Sequence, residues 1–69
     1  MDELELMRRD YDQKISDLQD LIDDQISKIA EIKRETGNNE ARIRQEELNL
    51  QTMQDNLIDL QGKRSQVLY

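Results

Sequence analysis

The sequence predicts an all-α fold, an antiparallel helical hairpin packed as a coiled coil, and three observations carry that reading. Numbering heptads from Met1 as position a, 14 of the 20 a and d positions are apolar, whereas placement at the overall 35% would fill about 7. Such a stripe is the seam of a coiled coil. Strand-like alternation is absent and Leu, Glu, Gln, Lys and Arg abound, residues that lose little rotamer freedom in a helix. Finally, Thr36-Gly37-Asn38-Asn39 interrupts an otherwise uniform helical pattern near the middle of the 69 residues.

The first arm is expected over residues 3 to 35. Asp2 with Glu5 three residues on resembles a capping box, and the arm ends in Lys33 and Arg34, cations that complement a helix C-terminus. Its seam reads Leu4, Tyr11, Ile15, Leu18, Ile22, Ile29 and Ile32, with Arg8 and Gln25 as polar insertions. A second period overlies the heptad. Leu4, Met7, Tyr11, Ile15, Leu18, Ile22, Ile26 and Ile29 follow an eleven-residue repeat, which fits a nearly straight helix with a broader apolar face. Leu21 widens that face. The alternative is that Met7, Leu21 and Ile26 are e and g residues flanking an ordinary two-helix seam.

The turn is expected over residues 36 to 39. Four poor helix formers in a row cost a continuous helix roughly 2 to 3 kcal/mol relative to Ala. Gly37 suits the left-handed C′ position after a helix, Asn38 or Asn39 can cap the next one, and Glu40 suits its first turn. The second arm, residues 39 to 66, carries Ile43, Leu50, Met53, Leu57, Leu60 and Val67 in the seam, interrupted by Glu46 and Arg64. Because the heptad register passes the break without slipping, one continuous helix of about 100 Å in a two-stranded coiled coil is the competing architecture.

Folding the chain about the point between Gly37 and Asn38 matches every a with a d. The layers become Ile32 with Ile43, Gln25 with Leu50, Ile22 with Met53, Leu18 with Leu57, and Ile15 with Leu60. Arg64 then meets Tyr11 as a cation over a ring. Flanking charges favour the same arrangement, pairing Glu35 with Arg42 and Lys33 with Glu40 against one repulsion between Lys14 and Lys63. A parallel dimer would set Lys28 against Lys33 and Glu35 against Glu40, with only Arg42 and Glu47 attractive. Glu46 opposite Ile29 is the defect of the antiparallel register.

Function is narrowed mainly by exclusion. The chain has no His and no Cys, which removes the usual nucleophile and base pairs, and a helical rod has no cavity to desolvate a carboxylate, so no enzyme is expected. No cofactor, metal or small-molecule substrate is expected either. Asp17, Asp20, Asp23 and Asp24 lie at helical spacing but lack the turn glycine and alternating oxygen ligands of a calcium loop, and read as a solvated face. The net charge of −6 opposes binding to nucleic acid or an anionic membrane. Residues 1 to 35 hold 11 acids and 6 bases, so the first arm suits a basic partner. No apolar run is long enough for a membrane span and no leader pattern follows Met1, so a cytoplasmic setting is the expectation.

The whole chain resembles the coiled-coil stalk segments of cytoskeletal, motor and tethering proteins. A central glutamine among apolar layers, here Gln25, is also a mark of SNARE motifs, but Thr36, Asn39 and Glu46 interrupt the layers such a motif requires. The stalk resemblance implies a structural part in a larger protein. Two mechanisms follow: self-association, most simply as a dimer, through outer residues Met7, Leu21, Ile26, Leu48 and Ile58, or docking of a partner helix or small regulatory protein on the same residues.

Overall fold

The computed structural model describes residues 2–35, 37 and 39–67. It is an antiparallel helical hairpin made of α1, Glu3–Arg34, and α2, Glu40–Gln66, with no strand among the described residues. The particle measures 55 × 16 × 10 Å, close to the length of its longer arm. Thr36 and Asn38 of the expected turn, and Met1, lie outside the described residues.

Each helix end follows from its sequence. Asp2 is extended (φ −78°, ψ 164°), and its Oδ1 accepts from the Glu5 N–H at 2.8 Å, while Glu3 and Glu5 put negative charge in the first turn. Both features stabilise the donor-rich end. Lys33 and Arg34 complement the other end. There α1 stops one residue before the expected limit. Glu35 turns to an extended conformation (φ −68°, ψ 147°), its N–H still donating to the Ile32 carbonyl at 3.2 Å.

That early stop displaces the glycine by one position. With Glu35 as the C-cap, Gly37 lies two residues beyond it and holds φ +120°. A positive φ was expected of Gly37, but at C′; the conformation is the one that L side chains avoid, held one residue farther along. Asn39 caps α2 through its backbone carbonyl, which accepts from Ile43 at 2.8 Å. Its side chain takes no part in that cap. Instead Asn39 Nδ2 donates back across the turn to the Ile32 carbonyl at 3.4 Å, tying the start of α2 to the end of α1. The second arm accordingly begins at Glu40, not Asn39.

The core is concentrated toward the turn. Ile22, Ile29 and Ile32 are buried along α1, Ile32 most completely at 2% exposure, and Val67 is buried at the open end. Tyr11, Ile15, Leu18, Ile43, Leu50, Met53, Leu57 and Leu60 are half-buried, which is what one facing helix can cover. Leu4, also a seam position, is 49% exposed.

Candidate functional site

A hairpin of this kind offers three surfaces: the seam, the flank carrying e and b positions, and the flank carrying g and c positions. In the seam the outstanding feature is polar. Gln25 and Glu46 are both buried, at 7% and 8% exposure, although each occupies a d position among apolar layers. Gln25 Nε2 donates to the Glu46 backbone carbonyl at 2.9 Å and to its Oε1 at 3.4 Å. Asn49, one turn on, donates to the same Oε1 at 2.8 Å, and Lys28 places its ammonium 2.6 Å from Oε2. No buried side-chain nitrogen or oxygen among the described residues lacks a partner. Satisfied in this way, a buried carboxylate is retained where an unpaired one would be expelled.

These bonds resolve the defect left by the register. The Glu46 carboxylate turns to Lys28, which precedes Ile29 in the chain, and to Gln25. The Lys28 ammonium is the main cause of a Glu46 pKa held below the ordinary range; the Asn49 and Gln25 amides act in the same direction, and burial opposes them. A depressed carboxylate pKa stabilises the fold above the unfolded value of about 4.3 and ceases to do so as pH falls through the folded value. Thermal melts of the native chain and of Glu46→Gln should therefore differ most at neutral pH and converge as pH falls through the lowered folded value. A gap that stays constant with pH would show that the Glu46 charge contributes nothing.

Other cross-arm pairs depart in part from the expected ones. Arg42 Nη1 meets Glu35 Oε2 at 3.4 Å, the expected g pair. Lys33, expected to meet Glu40, instead reaches Glu47 at 3.4 Å. Two acids one heptad apart on α2 compete for it, and an exposed pair worth a few tenths of a kcal/mol is settled by reach. Arg64 does not lie over Tyr11. Its Nε and Nη2 grip Asp12 at 2.6 and 3.4 Å, because a guanidinium fork bonds a carboxylate more strongly than it attracts a ring. The cation over Tyr11 is Lys14, 5.9 Å from the ring centre. Lys14 and Lys63, the expected repulsion, each turn to an acid of their own helix, Asp10 and Asp59, both at 2.9 Å. Those hydrogen bonds raise both lysine pKa values, and the Lys63 charge only slightly offsets the effect at Lys14.

The outer residues are all exposed: Met7 45%, Leu21 54%, Ile26 48%, Leu48 59% and Ile58 66%. Leu6 joins them at 53%. They do not gather into one surface. Leu21 lines a groove with Leu18, Leu60 and Asn56 on the g flank, whereas Ile26 lines a groove with Ile29, Ala30 and Leu50 on the e flank. The e and g positions lie on opposite sides of an a/d seam, which is the reason for the separation. Leu48 sits at an outward f position.

Asp17, Asp20, Asp23 and Asp24 are exposed, and among the described residues no group of three or more acidic side chains converges as a metal site would. Neither helix is long and apolar enough to cross a membrane. No protein-family model, curated protein or solved structure matches the chain.

Proposed function

We propose that this hairpin is a structural, oligomerising coiled-coil segment, acting by self-association and joining larger polypeptides in the manner of cytoskeletal, motor or scaffold-type stalk proteins. The observation that carries the reading is the imbalance between buried and exposed apolar residues. Among the described residues the buried apolar side chains are Ile22, Ile29, Ile32 and Val67, while Leu4, Leu6, Met7, Leu21, Ile26, Leu48 and Ile58 stand between 45% and 66% exposed. A two-helix unit buries too little to offset the entropy of ordering its chain, and docking further helices is the direct remedy. The proposal assigns the chain no catalysis, cofactor or metal, and sets it in the cytoplasm.

The second reading is a module that docks a partner helix or a small regulatory protein. What favours it is the e-flank groove, about 480 Å³, floored by Ile29 and Leu50. Amphipathic helices bind in grooves of this character. Light scattering on the purified chain tests the pair of readings. A mass of about 16.4 kDa, twice the 8.2 kDa of one chain, supports self-association; a monomer of 8.2 kDa overturns it and leaves the docking module.

Salt provides an independent check. The proposal places association in apolar contacts between copies that each carry −6, so added salt should leave the oligomer intact or tighten it by screening the repulsion. Sedimentation velocity in low and high salt reads this directly. Dissociation at high salt would mean that ion pairs hold the copies together.

A further inference from the structure

The two flanks of the hairpin differ sharply in charge. On the g flank, the c positions of α1 are Glu3, Asp10, Asp17, Asp24 and Glu31, an acid in every heptad, repeating about every 10.5 Å along the helix. Lys14, Lys28, Arg42 and Lys63 stand beside this row, but each is already engaged by an acid, Asp10, Glu46, Glu35 and Asp59 in turn. Asp17 and Asp24 remain exposed at the middle of the flank.

The e flank has the opposite character. Its outer ion pairs are Lys33 with Glu47 toward the turn and Arg64 with Asp12 toward the open end. Between them α1 presents Ser16, Gln19, Ile26 and Ala30, with Asp23 as the one charge, and α2 presents Gln51, Gln54, Ile58 and Gln61 with none. Ile26, Ile29, Ala30, Leu50, Gln51 and Gln54 line the groove there, which the Lys33–Glu47 pair bounds toward the turn and whose exposed surface is mostly apolar.

We infer that the e flank is the surface on which a second copy of this chain seats, forming a four-helix bundle in which the acidic g flanks face outward; this rests on the self-association proposed above. Charge selects the occupant. Two chains of −6 that met through their g flanks would bring two acidic rows together, and like charges across an interface oppose association. Meeting through the e flanks brings together surfaces that are nearly uncharged over their central part. The contact between identical copies is isologous, so the patch must complement itself and groups near the twofold axis meet their own kind. Glutamine tolerates its own kind, because its amide both donates and accepts. Gln51, Gln54, Gln19 and Gln61 can thus pair with one another around an apolar centre of Ile26, Ala30 and Ile58. A row of carboxylates cannot.

A pair of matched substitutions tests the assignment. Ile26→Glu places an acid on the e flank and Leu21→Glu one on the g flank, at residues of similar exposure, 48% and 54%. Ile26→Glu should reduce the dimer to a monomer by light scattering, weakening association at least tenfold, while Leu21→Glu remains dimeric; circular dichroism should show both helical. Loss of the dimer in Leu21→Glu with its survival in Ile26→Glu would overturn the flank assignment and leave self-association standing. Equal effects of the two would overturn it as well. A wild-type chain that is monomeric would instead remove the proposed function itself. Should either variant unfold, spin labels decide the matter, since the chain has no native cysteine. Labels on Gln54→Cys should show dipolar broadening between copies and labels on Asn56→Cys should not; the reverse pattern would place the interface on the g flank.

Discussion

Replacing Ile32 with alanine is expected to unfold the isolated hairpin. Ile32 is the most deeply buried side chain, at 2% exposure, and its carbonyl accepts from both Glu35 and Asn39 where the chain reverses. Removing its buried carbons costs about 3 kcal/mol, the lost transfer free energy plus the cavity left behind. Because two helices alone form a marginal unit, that loss is comparable with the whole stability. Ile22→Ala should cost slightly less, since Ile22 keeps 8% exposure. Asp17→Ala and Asp24→Ala, exposed residues on the same helix, should change stability by under about 0.5 kcal/mol. Urea titrations followed by circular dichroism would measure all four. Equal losses at buried and exposed positions would contradict the seam.

The turn carries the second large effect. Gly37 holds φ at +120°, and a Cβ built there would have no atom within 4 Å, so Gly37→Ala is strained by its backbone alone, by about 1 kcal/mol. In a continuous helix the same substitution is favourable by up to about 1 kcal/mol. Asn39→Ala removes the link to the Ile32 carbonyl. The double variant Gly37→Ala/Asn39→Ala should therefore shift the chain toward an extended helix paired with a second chain, the domain-swapped form of the same seam. Small-angle scattering should show the maximum dimension growing from near 55 Å to about 100 Å. A variant that stays short and loses no stability would mean that the turn does not depend on this glycine.

Much of this architecture was legible in the sequence because it rests on period and on residues with narrow conformational use. The heptad stripe located the arms, Asp2 announced the first cap, and Gly37 announced a positive φ. What escaped were the choices of long, exposed side chains. Register alone sets Arg64 against Tyr11, but a guanidinium on several rotatable bonds reaches the adjacent carboxylate of Asp12. Lys33 had two acids within range. The most consequential omission was the polar layer. Gln25 and Glu46 were each visible as an interruption of the stripe, and read singly each is a flaw. They are adjacent only across the seam, 21 residues apart in the chain, with Lys28 and Asn49 joining from their own helices. Two polar d residues in neighbouring layers of a folded-back register were the signal that would have found them.

The crowding of buried side chains near the turn has a kinetic meaning. Ile32 and Ile29 lie within a few residues of the reversal, so their contacts close the shortest loop and carry the smallest ordering penalty. On loop-closure entropy alone the arms are expected to join from the reversal outward, the isoleucine layers ahead of the Gln25 and Glu46 bonds, an order that φ-value analysis at Ile32 and Leu18 would test. Closing one heptad out of step would separate Glu46 from Gln25, and an unpaired carboxylate in an apolar layer is costly, so the polar layer favours the observed register. The distal half, with Leu4 at 49% exposure, offers less buried contact to hold it closed, and its amides are expected to exchange with solvent before those near Ile29 and Ile32.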